Sequence, residues 1–172
     1  AIEKGGYDHF MLKEIFEQPR TIHDCLRGRL DAAAGTITMS GIQQYADQIV
    51  NANRIVMIAC GTSWHAGLIG QFFMEQLAGV PASTDYASEF RYRDPVVSKG
   101  TLVIAISQSG ETADTLASLR YARDAGQRIG AVVNVHTSTI AREANVMLPT
   151  LAGPEIGVAS TKAFTCQLAV LA

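Results

Sequence analysis

The densest group of chemically able side chains lies between Ser107 and Thr112, where the chain reads Ser-Gln-Ser-Gly-Glu-Thr. Three hydroxyls and a carboxamide, Ser107, Gln108, Ser109 and Thr112, fall within six positions around Gly110, a residue free to take positive φ. One helix cap needs one hydroxyl, so capping alone leaves two unexplained. Hydroxyls set beside unpaired backbone amides make a cradle for an anion. The loop holds no Lys or Arg. That favours a phosphate monoester over a nucleotide triphosphate with its metal ion.

Other motifs fail on their letters. A nucleophile elbow needs Gly two residues before and two after its Ser, where Ser107 has Ala105 and Ser109, and Ser109 has Ser107 and Glu111. A Walker A loop needs Gly-Lys-Ser or Gly-Lys-Thr, and a dinucleotide fingerprint needs three spaced glycines after a strand. Neither occurs in this chain.

The elements that must hold the cradle flank it directly. Leu102 to Ile106 is an unbroken apolar run rich in β-branched residues, the pattern of a strand buried on both faces. Thr112 to Arg123, with Leu116 and Leu119 three apart, has helical spacing. In open parallel α/β sheets such a strand-to-helix junction lies at the carboxyl ends of the strands, where small ligands bind. The free N–H groups of the first helical turn then point into the crevice, and a helix N-terminus contributes about 0.3–1 kcal/mol toward an anion.

The pattern repeats upstream. Arg54 to Ala59 reads as a second buried strand, ending in the turn Cys60-Gly61-Thr62-Ser63 before a helix from Trp64 to Leu77. Two such units converge on one ligand if their strands are neighbours. Cys60 reads equally as a small buried hydrophobe at a strand end or as a ligand contact, and His65 as a residue of the first helical turn. Further strands are predicted at Ala82 to Ala87, Arg128 to Val135 and Val146 to Leu148, with a short helix from Ser138 to Ala144. Ser88 to Arg93 alternates charge and aromatic residues, which suits a packed, salt-bridged turn better than a nucleic-acid patch. In Gly153 to Phe164, two glycines and a proline make an irregular loop, and Ser160-Thr161 read as the cap of the closing helix. That loop follows the last strand, so Val158 and Ser160 are candidate ligand contacts. Lys162 reads as a solvated or capping lysine first, and as one leaning toward an anion second.

At the start, Tyr7 to Gln18 spaces Phe10, Met11, Ile15 and Phe16 along one helical face and is expected to stop at Pro19. A second helix is expected over Pro19 to Leu30, a linker over Asp31 to Ser40, and a helix over Gly41 to Asn51. Residues 1–40 are thus read as leading helices and linker, and residues 41–172 as the main domain, a three-layer αβα sandwich on a five-stranded parallel sheet. Both ends look cut, and the chain is read as a fragment of a longer protein.

Composition bounds the rest. With 172 residues, 48% of them hydrophobic, the chain can bury one core. Fourteen basic against 16 acidic side chains, a net charge of −2, offer no broad attraction to nucleic acid or membrane. No apolar run is long enough to span a bilayer, and the first residues do not form a signal peptide. Cys25, Cys60 and Cys166 are odd in number and lack a Cys-x-x-Cys pair, so no disulfide framework or metal site is indicated, and a cytoplasmic setting is expected.

Taken together, the segments Cys60-Gly-Thr-Ser, Ser107-Gln-Ser-Gly-Glu-Thr and Glu155-Ile-Gly-Val-Ala-Ser-Thr-Lys resemble the sugar isomerase (SIS) domain. Joined to Ala87-Ser-Glu-Phe-Arg-Tyr-Arg and Ala113-Asp-Thr-Leu, they look more narrowly like the first of two such domains in the glutamine:fructose-6-phosphate aminotransferases (isomerizing), or glucosamine-6-phosphate synthases. That resemblance implies that Ser107, Gln108, Ser109 and Thr112, with Ser63, hold the phosphate of fructose 6-phosphate or glucosamine 6-phosphate. Cys60, Gly61, Thr62, Val158 and Ser160 would line the sugar. It also implies a glutaminase domain before this chain and a second SIS domain after it as partners, a homodimer, no cofactor, and no catalytic residue in this chain, those of the isomerase step being expected beyond Ala172. The Trp64-His65 pair departs from the Tyr that the family often carries there. A phosphosugar-sensing module of a transcriptional regulator is the alternative, and a free-standing phosphosugar isomerase a third reading.

Overall fold

The computed structural model describes residues 3–39, 42 and 45–172. Its first element is helix α1 (Phe10–Leu26), which runs through Pro19 without a break. A proline there removes the N–H that would reach the Ile15 carbonyl. The Gln18 side chain takes its place, Nε2 donating to that oxygen at 3.0 Å, so the two expected helices are one. The expected linker carries a small antiparallel hairpin, β1 (Leu30–Asp31) paired with β2 (Thr36–Ile37). Helix α2 (Ala46–Val50) covers the end of the third expected helix, and the rest of that stretch, apart from Ile42, Tyr45 and Asn51, lies outside the described residues.

The sheet follows: β3 (Arg54–Ala59), β4 (Ala82–Tyr86), β5 (Thr101–Ser107), β6 (Arg128–Val133) and β7 (Val146–Pro149). All neighbours run parallel, in the order β4-β3-β5-β6-β7. Tyr86, Ala59, Ile106, Val132 and Leu148 stand abreast across it, so the five carboxyl ends open on one edge. The connections are α3 (Gly61–Gln76), α4 (Ala87–Phe90), α5 (Ala113–Asp124) and α6 (Thr139–Glu143), with α7 (Lys162–Leu171) closing the chain.

The apolar runs divide by strand periodicity into two cores, one on each face. Ile55, Met57, Leu102, Ile104 and Ile106 pack toward α3 and α7. Val56, Ile58, Val103 and Ala105 face the side of Phe90, Leu119 and Ile140, which lie on α4, α5 and α6. Each fully buried Ile or Val contributes about 1.5–3 kcal/mol relative to exposure, which is why strands covered on both sides read as unbroken hydrophobic stretches. Helix α1 packs against α7, with the Cys25 sulfur 3.9 Å from the Cys166 carbonyl oxygen. The three-layer αβα reading is thereby met. The sheet's direction of winding reverses between β3 and β5, the place where doubly wound sheets open a crevice.

Candidate functional site

Both hydroxyl-rich corners lie at that reversal. Ala59 pairs with Ile106, so Cys60 to Ser63 and Ser107 to Thr112 leave neighbouring strands at the same level. They also touch: the Thr115 hydroxyl, in the first turn of α5, stands 3.8 Å from the Cys60 sulfur.

Ser107 is the last residue of β5 and 3% exposed. Its Oγ accepts the Gly110 N–H at 3.0 Å and lies 3.2 Å from the Thr112 hydroxyl. Ser109 Oγ accepts the Glu111 N–H at 3.2 Å. Thr112 occupies the N-cap position of α5 without making a side-chain cap bond. The first helical bond runs from Leu116 N to Thr112 O, so the preceding N–H groups have no partner within the helix. Gly110 sits at φ +68°, and a Cβ there would meet the Ser138 Oγ at 1.9 Å, so the tight corner admits only glycine.

The expected turn at residues 60–63 is shorter than the sequence suggests, because α3 begins at Gly61 and its first turn holds Thr62 and Ser63. Ser63 is buried and accepts a 3.0 Å hydrogen bond from Gln167 Nε2 on α7, whereas Gly61 and Thr62 are exposed.

These contacts set the polarity of the corners. Ser63 and Ser109 each accept a bond from an N–H and keep their own protons to donate, and the Ser107–Thr112 pair, which shares one hydroxyl–hydroxyl bond, keeps one more. A set of donors fits an anionic oxygen, each bond to a charged group contributing about 1.5–3 kcal/mol net. Asp114, in the first turn of α5, is partly neutralised by the Arg91 guanidinium at 3.6 Å.

The loop after β7 is organised by residues the sequence did not single out. Asn134 Oδ1 accepts from Thr150 Oγ1 and Ala152 N, at 3.1 and 2.8 Å, and its Nδ2 donates to the Gly153 carbonyl at 2.7 Å. Glu14, a buried carboxylate on α1, accepts the Ile156 and Gly157 N–H groups. The expected Ser160-Thr161 cap of α7 makes no cap bond. Glu155 replaces it, accepting from Thr161 N at 2.9 Å, Ala163 N at 3.1 Å and Ser160 Oγ at 2.9 Å. Ser160 thus spends its proton on Glu155 and has only lone pairs to offer, which suits a sugar hydroxyl rather than a phosphate oxygen. Val158 is fully exposed, and no hydrogen bond among the described residues links it or Ser160 to the Ser107–Thr112 loop. What joins loop and corner is a cleft of about 630 Å³ lined by Gln108, Asn134, His136, Glu155 and Ile156.

Lys162 is 4% exposed and not the solvated or capping residue expected; its Nζ donates to Glu17 at 2.7 Å. Burial works against ionisation of Glu17, yet the bond and charge of Lys162, helped by Lys13 and Arg20, hold its carboxyl below the usual range. These charges line a smaller cleft of about 280 Å³ between α1 and the loop. Among the described residues, no cluster of three or more His, Cys, Asp or Glu side chains could hold a metal ion, and no helix is long and apolar enough to cross a membrane.

The chain is 57% identical over 170 residues to a glutamine-fructose-6-phosphate aminotransferase (isomerizing) of Chlorobaculum tepidum, and 53% identical over 171 residues to one of Methanosarcina acetivorans. Each alignment takes in 99% of this chain and 28% of the relative, so the chain spans little more than a quarter of their length. The solved C-terminal domain of glucosamine-fructose-6-phosphate aminotransferase from Francisella tularensis superposes with a TM-score of 0.90 at 44% identity, over 99% of this chain and 47% of that one. The SIS domain model matches residues 48–172, from just before the first central strand through the closing helix. With both hydroxyl corners and the loop after β7 inside that match, the chain belongs to the SIS domain family.

Proposed function

We propose that this chain is the hexose-phosphate-binding half of the isomerase region of a glutamine:fructose-6-phosphate aminotransferase, which makes glucosamine 6-phosphate from fructose 6-phosphate and glutamine. The observation that carries the reading is the pair of proton-donating corners meeting at the reversal between β3 and β5, joined at Thr115 and Cys60. Ser63, Ser107, Gln108, Ser109 and Thr112 hold the phosphate, with the free N–H groups at the start of α5. Cys60, Gly61, Thr62, Val158 and Ser160 line the sugar, where Ser160 accepts from a ring or chain hydroxyl. The relatives, above 50% identity, are named as aminotransferases rather than regulators, which favours this reading over a sensing module.

Proton transfer between C1 and C2, ring opening and ammonia release belong to parts of the protein outside this chain: a second SIS domain and a glutaminase domain. The working protein is a cytoplasmic homodimer that needs no cofactor for this step. Residues 1–40 form the approach to a domain that starts near residue 41.

The test is fructose 6-phosphate binding to the full-length protein after changing Ser109 and Thr112 to Ala. A loss of about tenfold or more, equivalent to 1.4 kcal/mol, is expected. A smaller loss removes these hydroxyls from the phosphate site.

A further inference from the structure

Gln167 is 1% exposed on the inner face of α7, among Ala163, Cys166 and Val170. A carboxamide is a costly side chain in that company, and this one is only half satisfied: Nε2 donates to Ser63 Oγ at 3.0 Å, while Oε1 has no partner. An apolar side chain of similar volume would fill the space without the orphaned oxygen. Packing alone therefore does not explain the residue. What distinguishes it is its partner, 104 residues away in the chain, at the start of α3 beside the crevice.

A serine hydroxyl has one proton and two lone pairs. With Gln167 Nε2 donating into one lone pair, the Ser63 proton cannot point back toward α7. It is left for an acceptor on the open side, where Gly61 and Thr62 are exposed. Glu111 N does the same for Ser109, from the backbone. At Ser63 a side chain from a distant helix supplies that bond.

We infer that Gln167 is a positioning residue for the phosphate site, fixing the Ser63 rotamer and keeping its proton available to the sugar phosphate. The inference rests on the reading of the site given above. It links α7 to substrate affinity without contact between Gln167 and substrate.

The test is a double-mutant cycle in the full-length protein, with fructose 6-phosphate affinity measured by calorimetry. Ser63→Ala is expected to weaken binding about tenfold and Gln167→Met about three- to tenfold. The double variant is expected to bind no worse than Ser63→Ala, because Gln167 acts only through that hydroxyl. Gln167→Glu keeps the shape but accepts the Ser63 proton, and is expected to weaken binding at least as much as Ser63→Ala; it carries the test should the Met variant not fold. Losses that multiply in the double variant, or unchanged affinity in both Gln167 variants, overturn the inference. If the unaltered protein does not bind fructose 6-phosphate, the functional reading falls and this inference with it. If binding is lost on changing Ser109 and Thr112 but not Ser63 or Gln167, this inference falls together with the Ser63 contact, and the functional reading stands on the other corner.

Discussion

Thr115 and Cys60 are 55 residues apart in sequence, yet the threonine hydroxyl stands 3.8 Å from the cysteine sulfur, pinning the first turn of α5 to the end of β3. The pairing of β3 with β5 sets the two strand-to-helix corners side by side, and this contact ties one to the other. Thr115 is completely buried, so Thr115→Val keeps the shape and removes only the hydroxyl. Stability should fall by about 0.5–1.5 kcal/mol, read as a lower denaturant midpoint with an unchanged slope.

Gly110 sets the shape of the corner between β5 and α5. Alanine there meets both a positive φ and a 1.9 Å approach to the Ser138 Oγ. Gly126 has a similar φ, +81°, but open space around it. Gly126→Ala should therefore cost about 1–2 kcal/mol from backbone strain alone, and Gly110→Ala distinctly more, with loss of fructose 6-phosphate binding. Thermal melts and calorimetry of the two variants check both halves.

Glu155 substitutes for the expected serine and threonine cap. Its carboxylate satisfies two N–H groups at the start of α7 and places a negative charge at the positive end of that helix. Glu155→Ala should destabilise the protein by about 1–2 kcal/mol. It also frees the Ser160 proton, so affinity for the sugar should change even where the fold survives, a point that binding measurements at a temperature well below the melt resolve.

The Glu17–Lys162 pair makes stability depend on acid. The carboxyl of Glu17 lies below its ordinary value of 4.5 in the folded protein. A lowered folded value means that the unfolded chain takes up its proton first, so the pair's contribution is complete above 4.5 and fades as pH falls through the lower, folded value. Glu17→Gln, which leaves the buried Lys162 ammonium without its counter-charge, should cost about 1–3 kcal/mol at neutral pH. The gap to the unaltered protein should narrow below pH 4.5 in denaturant titrations; a gap independent of pH would remove the ion pair as its cause.

How much of this was legible depends on the range of the interactions. The strand Arg54–Ala59 was readable to the residue, because β-branched apolar runs and the turn that ends them are local signals. Both hydroxyl-rich corners were readable as strand-to-helix junctions for the same reason. Pro19 misled because the Gln18 amide repairs the bond that proline removes, and a side-chain substitution of that kind has no periodicity. Glu14, Asn134 and Gln167 went unread for a different reason. Glu14 serves backbone groups 142 and 143 residues away and Gln167 a hydroxyl 104 residues away, so nothing near them in sequence announces the partner. The Ser160-Thr161 cap failed more locally, because a carboxylate five residues upstream competes for the same donors.

A crystal structure of the full-length protein with fructose 6-phosphate tests the central claim most directly. The phosphate is expected between the two corners, with its oxygens at about 2.6–3.0 Å from the Ser63, Ser109 and Thr112 hydroxyls and within reach of the first N–H groups of α5. A phosphate seated elsewhere, for instance among Lys13, Arg20 and Lys162 in the cleft beside α1, with the corners empty, would contradict it.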